Sequence, residues 1–467
     1  MSELLSSLAT NVWTPILFLL IIGGIFFMIY AGFIHLRHIW HSVTILRGKY
    51  YNSSDPGQIS PYEALSTALA STVGMGNISG VAVAISIGGP GAMFWMWITT
   101  IIGMSSNFFT STLAGMYKGK DSAGEVQGGP MYVIREAMGK SWQPLAGLFC
   151  VCCMVGCLPI FQANQLTVAI IDLGVTSEEW KAMTFQFLGF EISTLKFVIG
   201  IVLTIVAGLV IIGGITRIGS VAGKMVPFMI IVYFVAVVII LFTHLSVVPH
   251  YFWLMITDAF SASNFHGDPA LGGIVGGLIV AGVRRATFSN EAGIGTGPMA
   301  LGAAQSVEPV REGLISMLSP AIDTLLVCTL TAMAILVTGV WEVNDTTSVN
   351  GIMLTGRAFE ESIPYGKSIL LLCAFFFAIT ALFSYSYYGS KALAYIVGVK
   401  AAKYYDYFYL ATIVIGSVAS MSDVINLIDI AFALMAIPTM IPAFVLAPKV
   451  MEATRSYFER MKARGDI

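Results

Sequence analysis

Two short polar stretches interrupt apolar segments, and their residue types are those that bind small ions and carboxylates. The first stretch, at 71–77, reads STVGMGN, and the second, at 288–295, reads FSNEAGIG. A backbone group without a hydrogen-bond partner in hydrocarbon costs several kcal/mol, so the freed groups of a broken membrane helix must face protein or a cavity. Two such breaks, about half a chain apart, indicate the substrate site of a secondary transporter.

The first break offers donors for an anion and acceptors for a cation. Gly74 and Gly76 relax the helix at little steric cost. The N–H groups that open the following half-helix favour a carboxylate. Carbonyls at 70–73, with the amide oxygen of Asn77, would suit a hard cation such as sodium. The alternative is a glycine kink that serves only helix packing.

The second break has the same parts. Gly293 and Gly295 interrupt the helix, Ser289 can coordinate an ion, and Phe288 can cover a small ligand. The match between the two breaks favours a binding function over an isolated kink, because a packing kink has no reason to recur at a corresponding position.

Four ionisable residues are predicted at membrane depth near the second break. They are Arg284, Arg285, Glu291 and Asp323. Such residues are costly in a bilayer and usually functional. We expect the arginines to form a gate or a structural pair with Glu291 or Asp323, rather than to bind substrate; a water-filled vestibule would also hold them.

Two further predicted spans carry polar side chains. Gln162 and Gln165 are three residues apart on one helix face and would contact a substrate amine or bond to neighbouring helices. Thr380 and Ser384 are one turn apart and would complete a cation site, or bond to carbonyls of their own helix. Tyr385 follows them.

The composition is that of a polytopic helical membrane protein. Of the 467 residues, 57% are hydrophobic and only 11% charged, against about 25% charged residues in soluble domains. A net charge of -2 argues against a nucleic-acid partner. The six cysteines fall in apolar segments and are expected to be buried packing residues. His35, His38 and His41 are expected to end an interfacial helix rather than to bind metal.

Hydropathy predicts eleven membrane-spanning helices, since each apolar core has roughly the 20 residues that a span needs. The cores are 13–36, 63–88, 92–116, 145–171, 194–214, 220–243, 271–299, 312–339, 368–397, 407–423 and 425–448. With the N-terminus outside, 18 of the 24 Lys and Arg residues lie on the cytoplasmic side, 4 lie outside and 2 lie within a span. The positive-inside rule therefore predicts an external N-terminus and a cytoplasmic C-terminus.

The position of the breaks predicts an internal repeat. After the first span, ten remain, and the broken spans are the first and sixth of these, so five-helix units of opposite orientation are expected. The predicted organisation is an N-terminal helix and cytoplasmic connection (1–60), a first repeat (61–247), a second, inverted repeat (248–450) and a cytoplasmic tail (451–467).

Several motifs together resemble the alanine or glycine:cation symporters over nearly the whole chain. They are GMGNI at 74–78, GGPMY at 128–132, QAN at 162–164, FSNEAG at 288–293 and SYYG at 386–389. The resemblance implies the leucine-transporter fold, sodium coupling and alternating access. It also implies that a substrate carboxylate binds the backbone at Met75 and Gly76, and that the cation ligands are Ala70, Val73, Asn77 and Ser289.

This chain departs from the family pattern along the wall of the expected pocket. Met75 and Ala381 stand where Thr is common, Tyr385 where Trp is common, and Ser390 where Glu is usual. Backbone binding of the carboxylate should tolerate Met75, but the selectivity for the substrate side chain does not carry over.

The sequence thus predicts a sodium-driven importer of a small neutral amino acid, alanine or glycine, in a bacterial or archaeal plasma membrane. We found no Walker loop, no zinc-protease motif and no soluble domain for ATP hydrolysis, so we do not expect an enzyme. Two alternatives stay open. A proton-coupled carrier would titrate Glu291 or Asp323, and a gated channel would use the same repeats.

Overall fold

The computed structural model describes residues 2–175, 177–187, 190–261, 273–342, 351–418 and 422–466. The protein is all-helical apart from two small antiparallel hairpins, β1–β2 (Gly119–Lys120 and Val126–Gln127) and β3–β4 (Thr184–Phe187 and Phe190–Ser193). The predicted cores 271–299 and 407–423 include residues 271–272 and 419–421, which lie outside the described residues.

The helices before the second break follow in chain order. They are α1 (Ser2–Tyr30), α2 (Ile34–Arg37), α3 (Ile39–Leu46), α4 (Pro61–Thr72), α5 (Val81–Gly88), α6 (Gly91–Met116), α7 (Pro130–Val133), α8 (Gln143–Gly156), α9 (Ile160–Ala169), α10 (Glu178–Ala182), α11 (Thr194–Ile211), α12 (Gly214–Thr243), α13 (Val248–Ser261) and α14 (Gly273–Asn290). Short π-helical segments at Gly76–Gly80, Ile134–Met138 and Ile170–Gly174 join or extend these helices.

The remaining helices complete the chain. They are α15 (Thr296–Leu301), α16 (Pro309–Ser316), α17 (Leu318–Pro320), α18 (Thr329–Val337), α19 (Gly351–Ser362), α20 (Gly366–Val397), α21 (Val399–Val418), α22 (Ser422–Leu434) and α23 (Ala436–Ala463). A π-helix at Ala321–Cys328 joins α17 to α18. Single 3-10 turns lie at Lys140–Trp142 and Val340–Glu342.

Length and apolar composition qualify seven of the described helices or helix groups as membrane spans, or eight if the bent pair α4–α5 is one span. That pair bends by 51° between Thr72 and Gly76. Two of the connections between predicted cores contain helices of their own: α13 lies between the cores 220–243 and 271–299, and α19 between 312–339 and 368–397. The predicted tail from residue 451 continues as α23, because Val450, Thr454, Tyr457 and Met461 bury one helix face.

Local sequence explains how the first broken helix begins. Pro61 opens α4, and Ser60 and Glu63 form a reciprocal capping box at its N-terminus. The helix ends at Val73, whose backbone leaves the helical region (φ −77°, ψ 82°). The π-helix Gly76–Gly80 then packs against both α14 and the π-helix Ala321–Cys328, so the two breaks and a third helix meet in the protein interior.

The six cysteines were predicted to be buried packing residues, and the three histidines at 35, 38 and 41 to end an interfacial helix. All six cysteines are free and buried. His35 bonds to Ser105 Oγ at 2.9 Å and His41 to the Tyr457 hydroxyl at 2.8 Å, while His38 stacks on Phe458. The three histidines thus fasten α2 and α3 to α6 and α23, and no His, Cys, Asp or Glu cluster suited to a metal occurs within the described ranges.

Candidate functional site

The first break is held open by side chains. The Asn77 Oδ1 atom accepts a hydrogen bond from the Gly74 N–H at 2.9 Å. The Met75 N–H donates to Gln162 Oε1 at 3.2 Å. A Cβ built at Gly76 would meet no atom within 4 Å, so open space adjoins the break at the residue where carboxylate binding is expected.

The second break is shorter than expected. The helix α14 continues through Phe288 and Ser289 to Asn290, and the interruption spans only 291–295. Glu291 has a φ of 54°, which is rare for a residue with a Cβ, and Gly293 (82°) and Gly295 (111°) follow in the same region. Phe288 and Ser289 therefore lie on the last turn of a helix, directed by its packing rather than by a loop.

Asp323 joins the two breaks. One of its carboxylate oxygens accepts from Asn77 Nδ2 at 2.6 Å, and the other accepts from Ser289 Oγ at 2.8 Å and from the Thr324 hydroxyl at 2.8 Å. Asn77, Ser289 and Asp323 are all at most 2% exposed. Two predicted cation ligands thus converge on a buried carboxylate that the sequence offered as one possible partner for the arginines.

The arginines take other partners. Arg284 lies 3.6 Å from Asp429 on α22, and the Arg285 guanidinium donates to the Gly76 carbonyl at 3.3 Å. Neither arginine therefore pairs with Glu291 or Asp323 among the described residues, because the side chains of α14 meet Asp429 and the first break instead. A gating role for the arginines stays a prediction. Asp429 had a sequence signal that was missed, namely an ionisable residue within a predicted span.

The absence of a side chain at Gly80 lets Arg285 approach the first break. A Cβ at Gly80 would lie 1.2 Å from Arg285 Nη2, so only glycine leaves room for the guanidinium there. The Arg285 guanidinium also lies over the Phe288 ring, at 5.6 Å from its centroid, a cation–π distance. Phe288 in turn meets Phe161 edge to face at 5.6 Å.

Glu291 lies in a separate polar cluster. Its carboxylate accepts hydrogen bonds from the Tyr385 hydroxyl at 2.5 Å and from the Thr296 hydroxyl. Neither partner is charged. The predicted site residue Tyr385 therefore contacts the second break, and it does so through its hydroxyl.

The two glutamines both hold the first break from α9. Gln162 accepts from Met75, as described above, and Gln165 accepts from Ser79 Oγ at 3.0 Å. A Cβ at Gly74 would lie 3.0 Å from Gln162 Nε2, so glycine allows this approach. These contacts are interhelical hydrogen bonds, one of the two roles considered for this pair.

The expected cation ligands on α20 differ from one another. Thr380 Oγ1 donates to the Phe376 carbonyl at 2.8 Å, as hydroxyls in membrane helices often do. Ser384 Oγ is buried and has no hydrogen-bond partner among the residues described. A buried unpartnered hydroxyl is costly, which is consistent with a ligand that binds there. Ala70 and Val73, at the end of α4, are fully buried.

An ion pair that was not predicted from the sequence lies at the start of α16, near the N-terminal end of α4. Lys118 Nζ lies 2.7 Å from Glu312 Oε1 and donates to the Ala304 carbonyl at 2.8 Å. The Gln305 N–H also donates a hydrogen bond to the Ile59 carbonyl at 2.8 Å, beside the start of α4. The C-terminal end of α15 and the N-terminal end of α4 are therefore tied together.

Comparison with known proteins gives concordant matches. The sequence profile described as the sodium:alanine symporter family matches residues 1–466. The sodium/alanine symporter AgcS of Methanococcus maripaludis is 32% identical over 98% of this chain and 98% of its own. The probable sodium/glutamine symporter GlnT of Bacillus subtilis is 33% identical over 97% and 90%.

A second Bacillus subtilis relative, the putative sodium/proton-dependent alanine carrier protein YrbD, is 34% identical over 100% of this chain and 94% of its own. Among solved structures, MhsT in complex with L-phenylalanine matches with a TM-score of 0.54 at 13% identity, over 84% of this chain and 89% of that one. At that identity the structural match establishes a shared fold.

Proposed function

Because this chain belongs to the sodium:alanine symporter family, a family of multi-pass membrane transporters rather than enzymes, we propose that it imports a small neutral amino acid, alanine or glycine, together with sodium. The observation that carries this proposal is the convergence of Asn77 and Ser289 on the Asp323 carboxylate. A buried carboxylate with a neighbouring hydroxyl oxygen offers hard oxygen ligands for a cation.

The cation would be held between the two breaks. Asp323 supplies the negative charge that a desolvated sodium ion needs, and Ser289 supplies a neutral oxygen. The Asn77 amide, whose nitrogen donates to Asp323 and whose oxygen accepts from the Gly74 N–H, would turn to present its oxygen to the ion. A second group of proposed ligands comprises the carbonyls of Ala70 and Val73 and the hydroxyls of Thr380 and Ser384. Sodium would link α4, α14 and the π-helix Ala321–Cys328, which are separate elements of the fold.

The amino acid would occupy the open space beside Gly76. Its carboxylate would take the backbone N–H groups at Met75 and Gly76, with Gln162 releasing Met75 when the substrate binds. Phe288 would cover the apolar side chain, and Tyr385 would line the opposite wall. The glutamine named for GlnT of Bacillus subtilis extends the plausible substrates to larger neutral amino acids.

Alternating access would require contacts that open and close on each side of the site. We propose eleven spans, as one N-terminal helix and two inverted five-helix repeats, with boundaries at 61–247 and 248–450. The N-terminus would lie on the outer side of the membrane. The last turns of α23 and the C-terminus would lie in the cytoplasm. The Arg284–Asp429 pair would then restrict the outer side of the site, and the Lys118–Glu312 pair the inner side.

Proton coupling is the second candidate, because the Glu291 carboxylate has only hydroxyl partners among the residues that the structure describes. Hydroxyls can donate to a carboxylate or accept from a carboxylic acid, so this cluster tolerates either protonation state. The relative YrbD is described as sodium/proton-dependent. In this reading Glu291 would carry the proton and Asp323 the sodium.

Uptake into proteoliposomes tests the proposal. We expect labelled alanine or glycine to accumulate against its gradient with sodium outside, to saturate, and to stop when choline replaces sodium. Accumulation that persists in choline and follows an imposed pH gradient would establish proton coupling instead. Ion flux that neither saturates nor depends on an amino acid would establish a channel.

A further inference from the structure

A cavity lies where the end of α1 meets the last turns of α23. It has a volume of about 630 Å³, within the usual range for small-molecule sites. Its floor is apolar, formed by Ala31, Ile34, Met451 and Phe458. The His38 ring stacks on Phe458 with 4.0 Å between centroids and closes one side.

The rim of this cavity is basic. Arg37, Arg455 and Lys462 line it together with a single acid, Glu459. All three cations are exposed, and none forms a side-chain ion pair or hydrogen bond within the part of the chain that is described. Burial, and then the Arg37 charge, hold the pKa of His38 below its usual value, so that ring adds no charge at neutral pH.

The backbone places Arg37 over the cavity. Gly32 (φ 59°) and Phe33 (φ 60°) end α1 with two left-handed residues, which turn the chain into α2. The Arg37 side chain folds back over this turn, since a Cβ at Gly32 would lie 3.4 Å from its Nη1. The turn thus brings a cation from α2 toward the two on α23.

The exposed apolar face of α1 ends at this cavity. Ile22, Phe26 and Ile29 are exposed on the three turns that precede the cavity. Trp40 is 80% exposed just beyond it, as is typical of an aromatic anchor at the membrane surface. The cavity therefore lies at the level of the headgroups, with an apolar path for acyl chains running away from it.

We propose that this cavity binds the headgroup of an anionic phospholipid, with the phosphate held by Arg37, Arg455 and Lys462. The excess of cations over acids on the rim selects a negative headgroup, and basic pockets at helix ends are a recognised form of lipid site. The acyl chains lie along the exposed face of α1. A bound lipid would then fasten the N-terminal helix to the C-terminal helix.

Native mass spectrometry of the purified full-length protein tests the site. Phosphatidylglycerol and phosphatidylcholine are titrated separately onto the delipidated protein and onto two triple variants. The first variant, R37Q/R455Q/K462Q, removes the rim. The second, K140Q/K224Q/K400Q, removes three exposed cations elsewhere and is matched in charge. Helical content and melting temperature without lipid check that both variants fold.

We expect one phosphatidylglycerol to remain bound where phosphatidylcholine does not, with about tenfold or greater weakening in the rim variant and no change in the control. Equal loss in both variants, retention in the rim variant, or equal binding of phosphatidylcholine would overturn the proposal. If inorganic phosphate raised the melting temperature as much as phosphatidylglycerol does, the cavity would be a site for a soluble anion instead. Should the rim variant not fold, Arg455→Gln alone is expected to weaken binding about threefold, and unchanged binding would count against the site.

Discussion

The side-chain amide of Asn77 donates a hydrogen bond of 2.6 Å to Asp323, a residue 246 positions further along the chain. The bond links the first break to a helix of the second half of the protein, and Ser289 joins them from the second break. A single buried carboxylate therefore connects the parts that must respond together when a cation binds.

Asp323→Asn should weaken sodium binding at least about tenfold, because it removes the charge and leaves the shape. Amino acid binding at saturating sodium should fall less. The measurements are the sodium concentration for half-maximal uptake and the sodium-induced rise in melting temperature. Glu291→Gln, the neighbouring buried carboxyl, is the control and should keep its sodium affinity. The opposite outcome for the two variants would place the sodium at Glu291.

Asn77→Ala should weaken sodium and amino acid binding together, each by roughly tenfold. The substitution removes the acceptor for the Gly74 N–H and the donor to Asp323. Thermodynamic linkage makes the coupling between the two ligands reciprocal. Titration of each ligand at fixed concentrations of the other measures it. Wild-type sodium dependence in this variant would mean that Asn77 is a packing residue and that the ion lies elsewhere.

Gly80→Ala should abolish transport, because its Cβ would overlap the Arg285 guanidinium. Combining it with Arg285→Ala should recover part of the melting temperature lost by Gly80→Ala, a coupling that a double-mutant cycle measures. Gly147→Ala is the matched control, since a Cβ there meets no atom within 4 Å. An additive double variant would show that Arg285 is not what requires a glycine at position 80.

Met75→Thr should change the ranking among glycine, alanine and serine by about 1–2 kcal/mol, the scale of one methylene in an apolar pocket. Met75 is fully buried beside the open space at Gly76, so a shorter side chain reshapes that space. Sodium affinity should change less, because Asp323 and Asn77 are untouched. Competition uptake with the three amino acids measures the ranking. Equal losses for all three would mean that Met75 only supports the backbone.

Lys118→Met should destabilise the protein by about 3 kcal/mol, because it leaves Glu312 buried without its partner. Lys118→Met/Glu312→Met should be less destabilised than the single variant, since it removes both charges. Chemical or thermal unfolding in one detergent compares them. If the single variant were as stable as the wild type, Glu312 would have to be protonated or solvated, and the pair would not hold the inner end closed.

The sequence alone determined the class of protein, the site of both breaks and many of the residues beside them. The composition predicts a membrane protein directly, because charged groups are excluded from hydrocarbon. Glycines at 74, 76, 293 and 295 lower the cost of leaving the helical conformation, and that is a local property of the backbone. Both breaks were therefore predictable, although α14 continues three residues further than expected.

Only the tertiary structure decided which polar groups meet. Arg284 faces Asp429 rather than Asp323, and Arg285 faces Gly76, because the side chains of α14 meet α22 and the first break only in the folded protein. Gln162 and Gln165 were placed on one helix face by their spacing, but their partners Met75 and Ser79 belong to another helix. Spacing within a helix fixes a direction, whereas a partner depends on helices that are distant in sequence and adjacent in space.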